Sequence, residues 1–158
     1  MSEAHTSAFQ ESPPCEGGDA HAEAPPWRLD VLLIEDDPAD TSLIMAALKP
    51  HPHVASICAS DAPDQVLAAL AAGEFMPDLV LLDSHMPRLD GFQFLQNLRR
   101  IPDMMGVPVV FVTSSPLGRE VVEAGLSSAL TYFIKPASYP ELQDGLDKVI
   151  SRLINRSR

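Results

Sequence analysis

The stretch LDVLLIEDDPADTSLIMAAL, residues 29–48, decides the fold class. It begins with a short continuous apolar run of strand length, Leu29–Ile34, which acidic residues follow at once. Asp37 and Pro38 then supply a helix N-cap and a proline at the first helical position. The apolar residues that follow predict a helix ending near Lys49, and this helix is expected to bury Leu43, Ile44, Ala47 and Leu48. The stretch therefore predicts a strand, a loop and a helix in succession.

The same alternation continues along the chain. Further apolar runs predict strands at 54–58, 79–82, 109–112 and 130–134. Segments of helical period lie between and after them, at 61–72 (closed by Gly73), 92–100, 117–126 and in a last helix that presents Leu142, Leu146, Val149, Ile150 and Leu153 on one face. Strands that read as nearly continuous apolar runs indicate a parallel sheet covered on both faces. The fold class is therefore α/β, a doubly wound five-stranded parallel sheet.

Composition limits the classes of function. The 158 residues allow one domain of ordinary size, which we place at 28–155, with a short C-terminal end at 156–158. A net charge of −11 argues against nucleic-acid binding, which depends on Lys and Arg contacts to phosphates. No apolar run is long enough to cross a membrane, and no secretory signal precedes the domain, so a cytoplasmic protein is expected.

Residues 1–27 differ from the domain in composition. Up to residue 26 they contain several prolines, glycines and acids but no Lys or Arg, and apart from Met1, Phe9 is the only large apolar side chain among them. Such a segment cannot offset its ordering entropy by burial. We predict a disordered acidic tail, which is either inert or a partner-binding or autoinhibitory segment.

Polar side chains follow the predicted strands where each one ends. Glu35 and Asp36 follow the first strand, Asp83 the third, Thr113 the fourth and Lys135 the fifth. In open α/β sheets, ligands bind outside the carboxyl ends of the strands. Clustered carboxylates repel one another and raise at least one pKa unless a cation lies between them, and oxygen ligands suit Mg²⁺. A nucleophilic aspartate beside Mg²⁺, a hydroxyl and a lysine indicates phosphoryl transfer onto Asp83.

Four segments together resemble the receiver domain of bacterial two-component response regulators over about residues 29–155. They are VLLIEDD at 31–37, LVLLDSHMPRLDG at 79–91, VVFVTSS at 109–115 and YFIKP at 132–136. The resemblance implies a flavodoxin-like sheet of strand order 2-1-3-4-5. It also implies a stand-alone regulator similar to chemotaxis regulators, and the stretch at 35–48 is most similar to regulators paired with phytochrome-type kinases.

The resemblance implies a role for each of the matching residues. Asp83 is the expected phosphoacceptor, with Glu35, Asp36 and the backbone carbonyl of His85 as further Mg²⁺ ligands. Thr113 is the expected switch hydroxyl, Tyr132 the switch aromatic, and Lys135 the lysine that pairs with Asp83 or its phosphoryl group. Pro136 resembles the proline that follows this lysine, usually through a cis peptide bond.

The expected function is that of a phosphorylation-controlled switch rather than a turnover enzyme. A sensor histidine kinase donates the phosphoryl group, and the output is an altered contact with a downstream protein or a second copy of the chain. The face formed by the helix at 117–126, the fifth strand and the last helix is expected to change. An aspartate-nucleophile phosphatase and a receiver-like binding module that is not phosphorylated are the alternatives.

Some residues have a plainer structural interpretation. Asp37 and Asp90 are expected to act as helix N-caps rather than as metal ligands or catalytic groups. Tyr132 is either the switch aromatic or an ordinary strand residue packed in the core.

Overall fold

The computed structural model describes residues 26–84, 86, 90–114 and 130–156. Within them, five parallel strands form one sheet, as the apolar runs predicted, and their order β2-β1-β3-β4-β5 is the one that the resemblance implied. The strands are β1 (Leu29–Ile34), β2 (Val54–Ser60), β3 (Leu79–Asp83), β4 (Val109–Thr113) and β5 (Leu130–Ile134). Because β1 lies between β2 and β3, the strand order reverses at β1. This switch point is where an open α/β sheet leaves a crevice for a ligand.

Four α-helices and one short 3-10 helix lie within the described residues. They are α1 (Pro38–Leu48), α2 (Pro63–Ala71), α3 (Gly91–Leu98), the 3-10 helix Pro102–Met104 and α4 (Tyr139–Arg156). None of the helices in the described part of the chain is long and apolar enough to span a membrane. The predicted helix at 117–126 and nearly all of the predicted tail lie outside the described residues.

Local capping residues mark the start of α1, the start of α3 and the end of α2. Asp37 accepts hydrogen bonds from the backbone N–H groups of Ala39 and Asp40, and Asp90 accepts one from Phe92. Both aspartates are therefore helix N-caps, as predicted. At the end of α2, Gly73 takes a left-handed φ of 72°, and the two crossed backbone hydrogen bonds of a Schellman motif close the helix.

The sheet separates two apolar layers. Alternate residues of each strand point to opposite faces, so Val31 and Leu33 pack toward α1 and α4, whereas Leu32 and Ile34 pack toward α2 and α3. All four of these side chains are fully buried. The two layers cover the faces of the sheet and leave its carboxyl edge as the place where polar side chains meet.

Several predicted details differ from the structure. Leu43 is 46% exposed rather than buried, because α1 turns Ile44, Ala47 and Leu48 onto the sheet and leaves Leu43 beside that stripe. The strands β2, β3 and β4 run further than predicted, because the β1–β2, β3–β4 and β4–β5 ladders continue to Ser60, Asp83 and Thr113. No cis peptide bond occurs among the described residues, so the expected cis bond before Pro136 is wrong.

Candidate functional site

The alternation of the strands brings Glu35 and Asp83 to the same side of the sheet. Glu35 lies on the same face of the sheet as Val31 and Leu33, and Asp83 lies on the same face as Leu81. This face is turned toward α1 and α4. Because β1 and β3 pair in parallel, the two carboxyl groups emerge side by side at the switch point. The sheet register itself therefore creates the acidic pocket.

Three carboxylates form one cluster. Glu35, Asp36 and Asp83 each offer an oxygen, and these oxygens lie within 4.8 Å of one another. Glu35 and Asp83 are buried, at 3% and 7% exposure, while Asp36 is exposed. Two buried carboxylates and one exposed carboxylate offer hard oxygen ligands to a divalent cation. This arrangement fits a cation that keeps part of its water shell, as Mg²⁺ does.

Glu35 is held by contacts at its backbone and at both of its carboxylate oxygens. Its backbone N–H donates to the carbonyl of Ser60 at 3.1 Å. One carboxylate oxygen, Oε1, accepts from the backbone N–H of Asp37 at 3.2 Å, and the other, Oε2, accepts from Lys135 Nζ at 2.8 Å. Contacts with Asp37 and Lys135 therefore fix the orientation of the Glu35 carboxyl group.

The pKa of Glu35 is raised from 4.5 to about 7. Burial is the main cause, and the hydrogen bond and negative charge of Asp83 raise this pKa further. Lys135 opposes these effects through its own hydrogen bond and positive charge. The raised pKa agrees in direction with the expectation for crowded carboxylates, but burial contributes more to it than the neighbouring Asp83.

Lys135 joins the pocket to the first turn of α1. Its ammonium group contacts Glu35 Oε2 and Asp40 Oδ2, each at 2.8 Å, and its side chain is only 13% exposed. The backbone N–H of Lys135 donates to the carbonyl of Thr113 at 2.8 Å, which places the lysine directly after β5. Burial acts to lower the pKa of Lys135, but the bonds to Asp40 and Glu35, with the charge of Asp83, outweigh it and leave the pKa raised.

The remaining predicted residues lie at the same edge or on the neighbouring strands. Thr113 ends β4 and is completely buried. Tyr132 lies opposite Phe111 in the β4–β5 ladder and packs, half-buried, against the apolar layer on the α2 and α3 side. His85 lies outside the described residues, so its carbonyl stays a prediction.

Sequence reasoning assigned no role to Asp40, and it linked Gly91 to the start of the helix after Asp83 without the close contact that requires glycine. The partner of Asp40, Lys135, lies 95 positions away, and no local pattern signals that contact. Gly91 allows a close approach, because a Cβ atom there would lie 2.9 Å from the carbonyl oxygen of Asp83 and 3.2 Å from Cα of Ser84. Glycine therefore lets α3 begin directly against the end of β3.

The sequence model of one protein family, the response regulator receiver domain, matches residues 31–147 of the chain. The chain belongs to this family. Receiver domains of two-component response regulators are phosphorylated on an aspartate in a Mg²⁺-dependent manner and accept phosphoryl groups from histidine kinases. They are mostly signalling proteins rather than turnover enzymes.

Curated relatives include a transcriptional regulator and a chemotaxis protein. RpaA of Synechocystis sp., a DNA-binding dual master transcriptional regulator, is 30% identical over 112 residues, which are 71% of this chain and 45% of RpaA. The chemotaxis protein CheY-3 of Vibrio cholerae is 31% identical over 87 residues, which are 55% of this chain and 65% of CheY-3. The chain thus spans less than half of RpaA and slightly under two thirds of CheY-3.

Solved structures share the fold. The Mn²⁺-bound response regulator Rcp1 is 25% identical and has a TM-score of 0.64 over 78% of this chain and 92% of its own. The phosphorylated cyanobacterial phytochrome response regulator RcpA is 25% identical and has a TM-score of 0.65 over 78% and 91%. The receiver domain of a sensor histidine kinase from Pseudomonas aeruginosa, with Mg²⁺ in its active site cleft, is 25% identical and has a TM-score of 0.63 over 81% and 98%.

Proposed function

We propose that this chain accepts a phosphoryl group on Asp83 from a sensor histidine kinase and signals through altered protein–protein contacts. One observation carries the proposal. Asp83 lies buried at the end of β3, in a cluster of three carboxylates, and a lysine ammonium group contacts the neighbouring Glu35. A nucleophile, oxygen ligands for a divalent cation and a positive charge for the phosphoryl oxygens therefore share one pocket.

In the proposed transfer, the protein supplies the nucleophile and the charges around it. A carboxylate oxygen of Asp83 forms a bond to phosphorus while the bond between phosphorus and the donor imidazole nitrogen breaks, and that nitrogen then takes a proton. Glu35, Asp36 and Asp83 would hold Mg²⁺, together with the His85 carbonyl. Bound Mg²⁺ would supply positive charge that offsets the repulsion between the acceptor carboxylate and the phosphoryl oxygens.

Lys135 and Thr113 would bind the phosphoryl oxygens, through an ammonium charge and a hydroxyl hydrogen bond. Thr113 ends β4 and Lys135 directly follows β5, so a shift of either one would be transmitted along these neighbouring strands. Tyr132 packs beside Phe111 on these strands and is the side chain that we propose to follow Thr113. The resulting change in the β5 and α4 face would alter its affinity for a downstream protein or a second copy of the chain.

The partner and the location of the chain are part of the proposal. The phytochrome response regulator RcpA is among the structures with this fold, which supports a phytochrome-type kinase as the donor. A donor kinase of this kind would meet the chain in the cytoplasm.

Phosphorylation of Asp83 can be tested by intact-mass measurement. The protein is incubated with Mg²⁺ and a small-molecule phosphodonor beside two variants, Asp83→Asn and the exposed control Asp64→Asn. We expect the wild type and Asp64→Asn to gain one alkali-labile phosphoryl group, and Asp83→Asn to gain none. A receiver that accepts a phosphoryl group only from its kinase should still bind beryllofluoride. If the wild type neither gains a phosphoryl group nor binds beryllofluoride, the proposal is overturned.

The same incubation separates the two alternatives. Continuous release of phosphate from small phosphoesters would identify a phosphatase, whereas a receiver-like binding module would neither gain mass nor bind beryllofluoride.

A further inference from the structure

The ammonium group of Lys135 is shared with a carboxylate that no proposed chemical step uses. Asp40, in the first turn of α1, contacts Lys135 Nζ through Oδ2 at 2.8 Å, the same distance as Glu35 Oε2. The Asp40 side chain is 36% exposed, whereas that of Lys135 is 13% exposed. Asp40 therefore draws the lysine toward α1 from the solvent side of the pocket.

An ammonium group has three N–H donors and one positive charge. Two of the Lys135 donors point to Glu35 and Asp40. A phosphoryl group on Asp83 would require both an N–H donor and a share of that charge. It would therefore compete with Asp40 for the ammonium group of Lys135. The carboxylate of Asp40 also adds a negative charge that repels an incoming anion.

We propose that Asp40 is a positioning residue that holds Lys135 toward α1 and competes with a phosphoryl group on Asp83 for its ammonium group. This inference rests on the proposed function of Asp83 as acceptor. A residue in the first turn of α1 would then control how tightly the pocket binds a phosphoryl group. Loss of the Asp40 carboxylate should therefore release the lysine and strengthen anion binding.

The test measures the affinity of beryllofluoride, an analogue of the phosphoryl group, by ¹⁹F NMR in the presence of Mg²⁺. For a partly exposed ion pair we expect Asp40→Asn to bind about fivefold more tightly than wild type. Asp40→Ala should show the same gain, while Asp40→Glu, which keeps the carboxylate, should stay within about twofold of wild type. Asp61→Asn is the matched control, since Asp61 is an exposed acid just after β2 at the same edge.

A second measurement uses the protein without Mg²⁺ or beryllofluoride. The chain has three lysines, Lys49, Lys135 and Lys148, so lysine-selective NMR can resolve each ammonium group. At one fixed pH, Asp40→Asn should shift the Lys135 signal and speed its proton exchange with water. The signal of Lys148, which pairs with Asp144 on the exposed side of α4, should not move.

The outcomes are distinguishable. If wild type neither gains a phosphoryl group in the mass measurement nor binds beryllofluoride, the proposed function of Asp83 fails and this inference fails with it. If wild type binds but Asp40→Asn and Asp40→Ala bind equally or more weakly, the competition is refuted and Asp83 keeps its role. An equal gain in Asp61→Asn would also refute it, because a general charge effect would then suffice.

Discussion

Replacing Glu35 with glutamine should change how the stability of the metal-free protein depends on pH. The folded-state pKa of Glu35 is about 7, against an ordinary value of 4.5, because burial and Asp83 disfavour its ionised form. Between these two pH values the unfolded chain has released the Glu35 proton and the folded chain still holds it. Stability therefore falls as pH rises through this window, since the folded state binds more protons than the unfolded state.

The magnitude follows from the width of the window. An interval from 4.5 to about 7 corresponds to about 3 kcal/mol of unfolding free energy. Stabilisation by the protonated carboxyl group is complete below pH 4.5 and lost above about pH 7. Lys135 also has a raised pKa, but its contribution is present up to its ordinary value of 10.5 and is lost only above it. Burial lowers the pKa of His51 below its ordinary value of 6.5, so His51 makes stability rise with pH in the same window. The contribution of Glu35 is therefore read as the difference between the wild type and Glu35→Gln.

The assay is urea unfolding followed by circular dichroism, at steps from about pH 4.5 to about 8 in the presence of a chelator. Relative to Glu35→Gln, the wild type should lose about 3 kcal/mol across this range. Glu74→Gln is the matched control, because Glu74 is an exposed glutamate just after α2, and it should follow the wild-type curve. Parallel curves for the wild type and Glu35→Gln would refute the reasoning. Addition of millimolar Mg²⁺ should abolish the wild-type loss, because the cation favours the ionised carboxylates.

Three further predictions concern single contacts. Gly91→Ala should destabilise the fold by about 1–3 kcal/mol in urea unfolding, because the new Cβ meets the backbone of β3, whereas Gly106→Ala meets no atom within 4 Å and should cost less. Asp37→Ala should cost about 1 kcal/mol through loss of the α1 cap, and Asp37→Ser should recover most of it; equal losses would argue against capping. Lys135→Met should raise the pKa of Glu35 above about 7, because the hydrogen bond and charge of the lysine lower it. Carboxyl ¹³C NMR measures this pKa, and a fall or no change would contradict the account.

The sequence by itself determined the elements and their order. Apolar runs of strand length, the Asp37 and Asp90 caps and the Gly73 turn are local signals, and each acts within a few residues of the structure it specifies. The residues at the strand ends could also be grouped correctly. Parallel strands in a doubly wound sheet bring their carboxyl ends to one edge, which is why Glu35 and Asp83 were expected together.

Only the tertiary structure decided how the charges in the pocket are shared. The contact of Lys135 with Asp40 depends on how α1 and β5 pack across the sheet, and no spacing along the chain encodes it. The pKa of Glu35 depends on burial and on the distances to two charges, which residue types alone do not specify. Likewise, the exposure of Leu43 and the close approach at Gly91 depend on the rotation and position of whole helices. Local signals select elements, whereas burial and packing set the electrostatics of the site.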